Sequence, residues 1–447
     1  MNSTTSAPAV VKATPRFTFF RQSGWMMMAT VAGGAFMWAV HPLLQKPVDQ
    51  VQLGAITEFL KSFIHDPLPK PVYGLFNALL SLLVIMSIPG TGLQTIFAQQ
   101  AAAAIDDTSE RQLRGTVRTV LAATALIWVI WVVAVFALRK NIISALNITD
   151  PAALWIIMLV GLPILWVPVL SGLLQGRQNF LLLGWMSILP GASRCFTVLL
   201  IVRILGAGLT GAVIAVLVGA IVPLVILLWR SSSDLRGPRE PVPWVPWLRR
   251  VVPLTLGLGA ITFVLQADML VVRKFFPSQS GFYSAASIIG KALVLFTVPL
   301  AAVMFPKVVQ SAARAERTDV LAQALGATAL MGAGAALFCT IFPGLPLRLV
   351  YDSSYLVIKP VVPWFAWCML PLTLSNVLIN NLLARARFAV VPWLVILAGV
   401  YCGTLVLVAR HLLAADQLTA FTTIVQVIGG FSLILLALLI YFTWRKK

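Results

Sequence analysis

The chain has 447 residues, of which 60% are hydrophobic and only 11% charged. Soluble domains carry roughly 25% charged residues, so a water-facing surface cannot be built from this composition. The formal net charge of +19 raises nucleic acid as a partner, a reading that the placement of the basic residues excludes in favour of a membrane.

Apolar runs of about twenty residues, enough for a helix to cross a hydrocarbon core of about 30 Å, recur along the chain. The alternation that a closed barrel requires is missing. The first sixteen residues are polar and contain no signal-peptide core, so the first apolar segment is expected to remain as a helix. Spans are predicted over 24–44, 72–98, 117–138, 152–174, 180–204 and 208–229, then over 251–272, 282–305, 319–343, 360–383, 389–409 and 420–443. The fold class is therefore all-α integral membrane, with about twelve transmembrane helices.

Of the 33 Lys and Arg residues, 20 fall on the side of the N-terminus and 11 on the opposite side, with Arg194 and Lys291 inside spans. That asymmetry places both termini in the cytoplasm and makes the basic excess a topology signal, with contact to anionic membrane lipids and none to nucleic acid. Cys195, Cys339, Cys368 and Cys402 all lie within predicted spans without paired spacing, and His41, His65 and His411 are scattered. No disulfide, metal site or cofactor is expected from them.

The longest cytoplasmic connection, 230–250, is rich in Arg, Ser and Pro and reads as a linker between two sets of six spans. The predicted organisation is a tail over 1–23, a first six-helix half over 24–229, the linker, a second half over 251–443 and a tail over 444–447. Span two opens with Tyr73-Gly74 and span eight with Gly281-Phe282-Tyr283-Ser284, which aligns Gly74 with Gly281. Two sets of six in the same orientation are parallel repeats, an arrangement that puts a substrate path between the halves. An extra outward segment at 49–68 interrupts the match. Within it Leu53, Ile56, Leu60, Phe63 and Ile64 recur at helical spacing, which predicts an amphipathic helix over 52–64 lying on the outer membrane surface or over the mouth of the cleft, with a flexible outward loop as the alternative.

The stretch from Leu265 to Val308 begins with an Asp in an apolar run, continues into Gly281-Phe282-Tyr283-Ser284-Ala285-Ala286 and ends in Phe305-Pro306-Lys307. It resembles the polysaccharide-export branch of the multidrug/oligosaccharidyl-lipid/polysaccharide (MOP) flippase superfamily. Weaker echoes are Tyr73-Gly74, Leu174-Gln175-Gly176-Arg177 and Gly206 to Gly211. The resemblance implies a transporter, not an enzyme, that flips a lipid-linked oligosaccharide across the bacterial inner membrane for polysaccharide biosynthesis. Its implied partners are the lipid-linked glycan, membrane lipids and other polysaccharide-assembly membrane proteins. Twelve helices depart from the fourteen of many relatives.

A charge at bilayer depth costs about 2.5–3.5 kcal/mol on insertion scales and turns toward a partner or a wet cavity. Ser284, Ser287 and Lys291 share one face of span eight, and Thr255, Thr262, Gln266 and Arg273 form a stripe on span seven. If these spans line the cleft, as the resemblance implies, the stripes offer hydroxyls and a cation to a diphosphate headgroup. The alternative for Lys291 is an ion pair or snorkelling within its own half. Arg194 is a second cation, with a structural role as its alternative. Asp268 lies off the polar stripe, which leaves a structural bond to a neighbouring helix or ion coupling. Asn77 and Ser81 on span two, with Gln94 further along, suit sugar hydroxyls. Asn376, Asn380 and Arg387 form a stripe on span ten that interhelical bonds would equally explain. Arg21 sits at the cytoplasmic foot of span one, where phosphate would enter.

A drug or cation exporter of the same superfamily is the near rival, and it needs buried carboxylates where this chain offers only Asp268. A membrane glycosyltransferase or polymer ligase is the rival from another class. It would draw on the loop at about 45–71, with Asp49, Glu58, His65 and Asp66.

Overall fold

A computed structural model of the protein describes residues 16–47, 64–104, 106–148, 150–236, 244–292, 320–385 and 387–445, without the side chains of 16–23, 233, 234, 320 and 384. Every regular element among the described residues is helical. The long helices are α1 (Arg16–Gln45), α2 (Lys70–Met86 continuing as Ile88–Ala103), α3 (Asp107–Leu146), α4 (Pro151–Gly176), α5 (Phe180–Thr197) and α6 (Gly208–Arg230). They are followed by α7 (Trp244–Phe275), α8 (280–292), α9 (Val320–Ile341), α10 (Val361–Ala384), α11 (Val391–His411) and α12 (Gln417–Trp444). Ten are each long and apolar enough to cross a membrane, and the two parts of α2 together make an eleventh. The remaining expected span, the eighth at 282–305, is described only through the first part of α8. Odd-numbered helices run from the face where α1 begins, here the N-terminal face, to the far face.

The helices outrun the apolar segments wherever polar turns continue the same backbone. α3 has 40 residues, about 60 Å at 1.5 Å per residue, roughly twice the hydrocarbon core. Its first turns carry Asp107, Glu110, Arg111 and Arg114 outside the apolar run, and Asp106 caps it by accepting from Ser109 N at 3.4 Å. α2 bends by 40° between its two parts. Pro89 follows the break, where its missing N–H costs least. α5 ends in a π-helical turn, Val198–Ile204. There Gly206 takes a left-handed φ of +69°, and a side chain at that position would run into the His65 ring.

Packing repeats with an offset of six helices. α1 packs on α5 as α7 packs on α11, and α4 packs on α6 as α10 packs on α12. α3 meets α4 as α9 meets α10, and α5 meets α6 as α11 meets α12. The two sets join along α2 and α7. Large apolar side chains such as Leu126, Val133, Phe196, Trp229, Leu330 and Trp393 are exposed around the outside, as a hydrocarbon solvent requires.

Residues 64–69 enter α2 as coil, pinned by His65 N donating to Arg203 O at 2.7 Å and Leu68 N donating to Leu44 O at 2.9 Å. The amphipathic helix expected over 52–64 lies outside the described residues except for Ile64, which is in this coil.

Candidate functional site

The far ends of the two sets of helices are locked together. α2 and α8 start against each other with no room for a side chain: a methyl group on Gly74 would stand 2.1 Å from Ser280 Oγ and 2.5 Å from Gly281 N. One on Gly281 would stand 2.1 Å from Lys70 O. The two glycines aligned by the internal repeat are thus neighbours in space. That is the expected outcome when equivalent positions lie beside a pseudo-two-fold axis. Beside this crossing, Arg273 at the end of α7 donates to the carbonyls of Leu146, Asn147, Pro71 and Pro277 at 2.7–3.0 Å, and to Ser280 Oγ at 3.2 Å. Three of those carbonyls belong to the first half.

A second tie runs through aromatic hydroxyls. The Tyr73 hydroxyl lies 2.9 Å from Nδ1 of His41 and 3.0 Å from the hydroxyl of Tyr351. Tyr355 donates to Oε1 of Gln45, and Gln45 Nε2 donates to Leu68 O at 3.0 Å. Tyr351 and Tyr355 flank Asp352 in the connection between α9 and α10, whereas His41, Gln45 and Tyr73 belong to α1 and α2. Burial pushes both phenols of the connection well above the ordinary tyrosine range, so they stay protonated and able to donate. Lys70 adds its ammonium over the rings of Phe282 and Tyr355, at 4.7 and 5.2 Å.

At mid-depth the seam between α2 and α7 is held by Ser81, whose hydroxyl donates to Gln266 Oε1 at 3.0 Å. Asn77, one turn before Ser81, is buried and donates to its own helix at Tyr73 O, 3.0 Å. Thr262 likewise bonds back to Leu258 O at 3.0 Å. Further along, a methyl group at Gly92 would strike Thr255 Oγ1 and one at Gly259 would strike Ile88. The backbones of α2 and α7 therefore approach closely along much of their length.

Inside the second half, Lys291 Nζ lies 2.8 Å from Asp268 Oδ1, and the other carboxylate oxygen accepts from Tyr283 at 2.8 Å. Asp268 is fully buried, and Lys291 nearly so. The sequence reading favours substrate for Lys291, with an ion pair inside its own half as the alternative, and for Asp268 it favours a structural bond to a neighbouring helix. The structure forms that ion pair between the two, because α7 and α8 pack with these residues at the same depth. On the same α8 face, Ser284 is buried and donates to Ser280 O at 2.8 Å, and Ser287 is buried too. On α10, Asn380 donates to Asn376 O at 2.7 Å, and Arg387 beyond the helix donates to Thr443 O at 3.1 Å.

Arg194 stands apart from all of these, within the first half. It projects from α5 beside α6, where a methyl group at Gly219 would be 3.6 Å from its Nε, and it lies within electrostatic reach of His41 on α1. Its Nε is buried and has no hydrogen-bond partner among the described residues. The Arg21 side chain lies outside the described residues.

His41, Gln45, Tyr351 and Tyr355 are absent from the sequence-derived candidates. The one signal available is the i, i+4 pair of tyrosines around an Asp in a connection that is otherwise apolar.

The sequence matches the model of the polysaccharide biosynthesis protein family over residues 67–312, more than half of the chain. The chain belongs to this family. Three solved structures fix the fold to which the family sequence gives rise here. The lipid II flippase MurJ, in an inward closed conformation, superposes with a TM-score of 0.68 at 12% identity over 95% of this chain and 88% of its own. An inward-facing multidrug resistance MATE family transporter gives 0.65 at 12% identity, covering 85% of this chain and 94% of that one. A MOP superfamily transporter from Pyrococcus furiosus, described as having a binding pocket of reverse polarity, gives 0.61 at 12% identity over 99% and 98%. No curated protein matches the sequence significantly. This member of the polysaccharide biosynthesis family therefore has the fold of the MOP transporters, and its apolar helices make it a multi-pass membrane protein.

Proposed function

We propose that this protein flips a lipid-linked oligosaccharide, a glycan on a polyprenyl diphosphate, across the bacterial inner membrane. Both termini are then cytoplasmic, and the two six-helix halves rock to expose the substrate path to one side at a time. The observation that carries the reading is the charge balance of the interior. Asp268, the only buried acid among the described residues, is already paired with Lys291, whereas Arg194 has no carboxylate against it there. An interior whose one buried acid among the described residues is already paired, and which keeps a cation at Arg194, suits an anionic headgroup and disfavours a cationic drug. Membership of a polysaccharide biosynthesis family and the fold shared with a lipid II flippase support the same reading.

The far-face ties describe how such a cycle would be gated. Opening that face requires the Gly74–Gly281 crossing to separate and the Arg273 and tyrosine bonds between halves to exchange for water. Membrane enzymes of glycan assembly remain natural partners, since they would supply the substrate on one side and consume it on the other.

The test is transport by the full chain reconstituted into vesicles, with a fluorescently labelled prenyl-diphosphate oligosaccharide in one leaflet. Protein-dependent appearance of label in the other leaflet supports the proposal. Efflux of cationic dyes with no movement of the labelled lipid would reject it in favour of an exporter.

A further inference from the structure

On the N-terminal face, away from the crossing and the interior charges, a cavity of about 470 Å³ opens between the end of α2, the start of α3 and the start of α7. It is lined by Gln99, Gln100, Gln112 and Thr116 from the first half and by Trp247 and Arg250 from the second, with no acidic residue in the lining. Two acids at the start of α3 have partners of their own. Glu110 is paired with Arg114 at 3.8 Å and Arg177 at 3.3 Å, and Asp106 accepts from Ser109 at the cap of α3.

Two polar atoms of this lining have no partner. Oε1 of Gln100 and Nε1 of Trp247 are both buried without a hydrogen bond among the described residues, a state that native structures seldom leave unexplained. The indole ring is held in place by Phe97, at 6.3 Å between centroids, and by Trp244 at 5.6 Å. A fixed indole at the end of a membrane helix belongs at headgroup depth, where its ring meets acyl chain and its N–H meets polar groups.

We infer that this cavity is a binding site for a single anionic phospholipid whose headgroup carries free hydroxyls, of the phosphatidylglycerol type. The phosphate takes the guanidinium of Arg250 and, after a small side-chain rotation, the indole N–H of Trp247. The hydroxyls take the amides of Gln99, Gln100 and Gln112, which can both donate and accept. Basic pockets between helices at a membrane face bind anionic headgroups by the same chemistry. The site draws ligands from both halves, so the lipid is a bridge across the α2–α7 seam on the face opposite the Gly74–Gly281 crossing. A lipid bound there stabilises whichever state keeps α2, α3 and α7 together. The inference does not depend on the transported substrate.

Native mass spectrometry of the purified full chain, with phosphatidylglycerol, phosphatidic acid or phosphatidylcholine added, tests it. The wild type should retain one phosphatidylglycerol about tenfold more strongly than phosphatidylcholine, the scale of one charge-assisted hydrogen bond. Arg250→Gln, at an exposed position that does not enter the core, should abolish the preference for both anionic lipids. Gln100→Leu should weaken phosphatidylglycerol and leave phosphatidic acid unchanged, while Arg249→Gln, outside the lining, should change neither. Equal retention of all three lipids, or an unchanged preference in Arg250→Gln, overturns the inference. Displacement of phosphatidylglycerol by a soluble oligosaccharide without a lipid chain also overturns it, and assigns the cavity to sugar.

Discussion

The ammonium of Lys291 and the carboxylate of Asp268 meet at 2.8 Å across α7 and α8, with the Tyr283 hydroxyl completing the carboxylate's bonds. A lone charge at this depth would have to neutralise or find water. Together the two residues present no net charge, which leaves Arg194 as the cation placed to meet an anion.

The pair predicts a specific pattern of stability. Lys291→Met should destabilise the protein by about 3–5 kcal/mol, because it leaves Asp268 buried and unpaired. Adding Asp268→Asn should recover more than half of that loss, since no buried charge then remains. Thermal unfolding of the purified single and double variants measures both, and a double variant as unstable as the single one would sink the argument.

The crossing of α2 and α8 predicts which glycines are indispensable. Gly74→Ala and Gly281→Ala each drive a methyl group into backbone at 2.1–2.6 Å or into Ser280, an overpacking worth about 1–3 kcal/mol. Gly399→Ala and Gly403→Ala on α11 have open space around them and should be neutral or slightly stabilising, as Ala favours helix. Comparing the unfolding temperatures of the four variants checks this. Equal effects would mean that the far-face contact is looser than the geometry states.

Hydropathy makes the spans legible because in a membrane the solvent itself selects for apolar length. It cannot see the polar extensions of α1, α3 and α7, whose backbone bonds continue into water. The match of Gly74 with Gly281 is readable as a repeat, but that the two positions touch follows only once an axis is placed between the halves. Helical spacing likewise puts Lys291 on a face with Ser284 and Ser287. It is silent on Asp268, 23 residues earlier on another helix, because which faces meet is settled by packing. The tyrosine tie escapes for a different reason. Tyr351 and Tyr355 lie in a connection, where no periodicity marks a buried face, and their partners are about 300 residues away in sequence.

The caps of the long helices predict a pH dependence. Hydrogen bonds from Thr419 hold the Asp416 carboxyl below its ordinary value of 3.8, including one from Thr419 N at 3.1 Å at the start of α12. A folded-state pKa below the unfolded one adds stability at pH values above the unfolded value, and that stability is lost as pH falls through the folded value. The advantage of wild type over Asp416→Ala should therefore be constant from pH 7 to about 5 and shrink below pH 4. Asp416→Asn, which caps without titrating, should keep its advantage throughout. Unfolding temperatures of the three proteins across that range decide the matter. The side chain is fully exposed, so the effect should be small.

Arg194 is the residue on which the anionic-substrate reading turns. Its guanidinium lies among α1, α5 and α6 close to His41, and its Nε lacks a hydrogen-bond partner among the described residues. If its role were only structural, replacing it with an uncharged side chain of similar length would relieve a buried charge, and stability would hold or rise. If it receives the headgroup, the same replacement removes the interaction made with substrate. Arg194→Gln should thus leave the unfolding temperature within a few degrees of wild type or above it, while lowering flipping of labelled prenyl-diphosphate oligosaccharide by at least about tenfold, the worth of one charge-assisted bond. Arg194→Lys should restore part of the rate, since a point charge still attracts phosphate but cannot grip two oxygens in parallel. A normal flipping rate in Arg194→Gln would remove Arg194 from the substrate path. A fall in rate matched by an equal fall in folded protein would make it a structural residue of the first half.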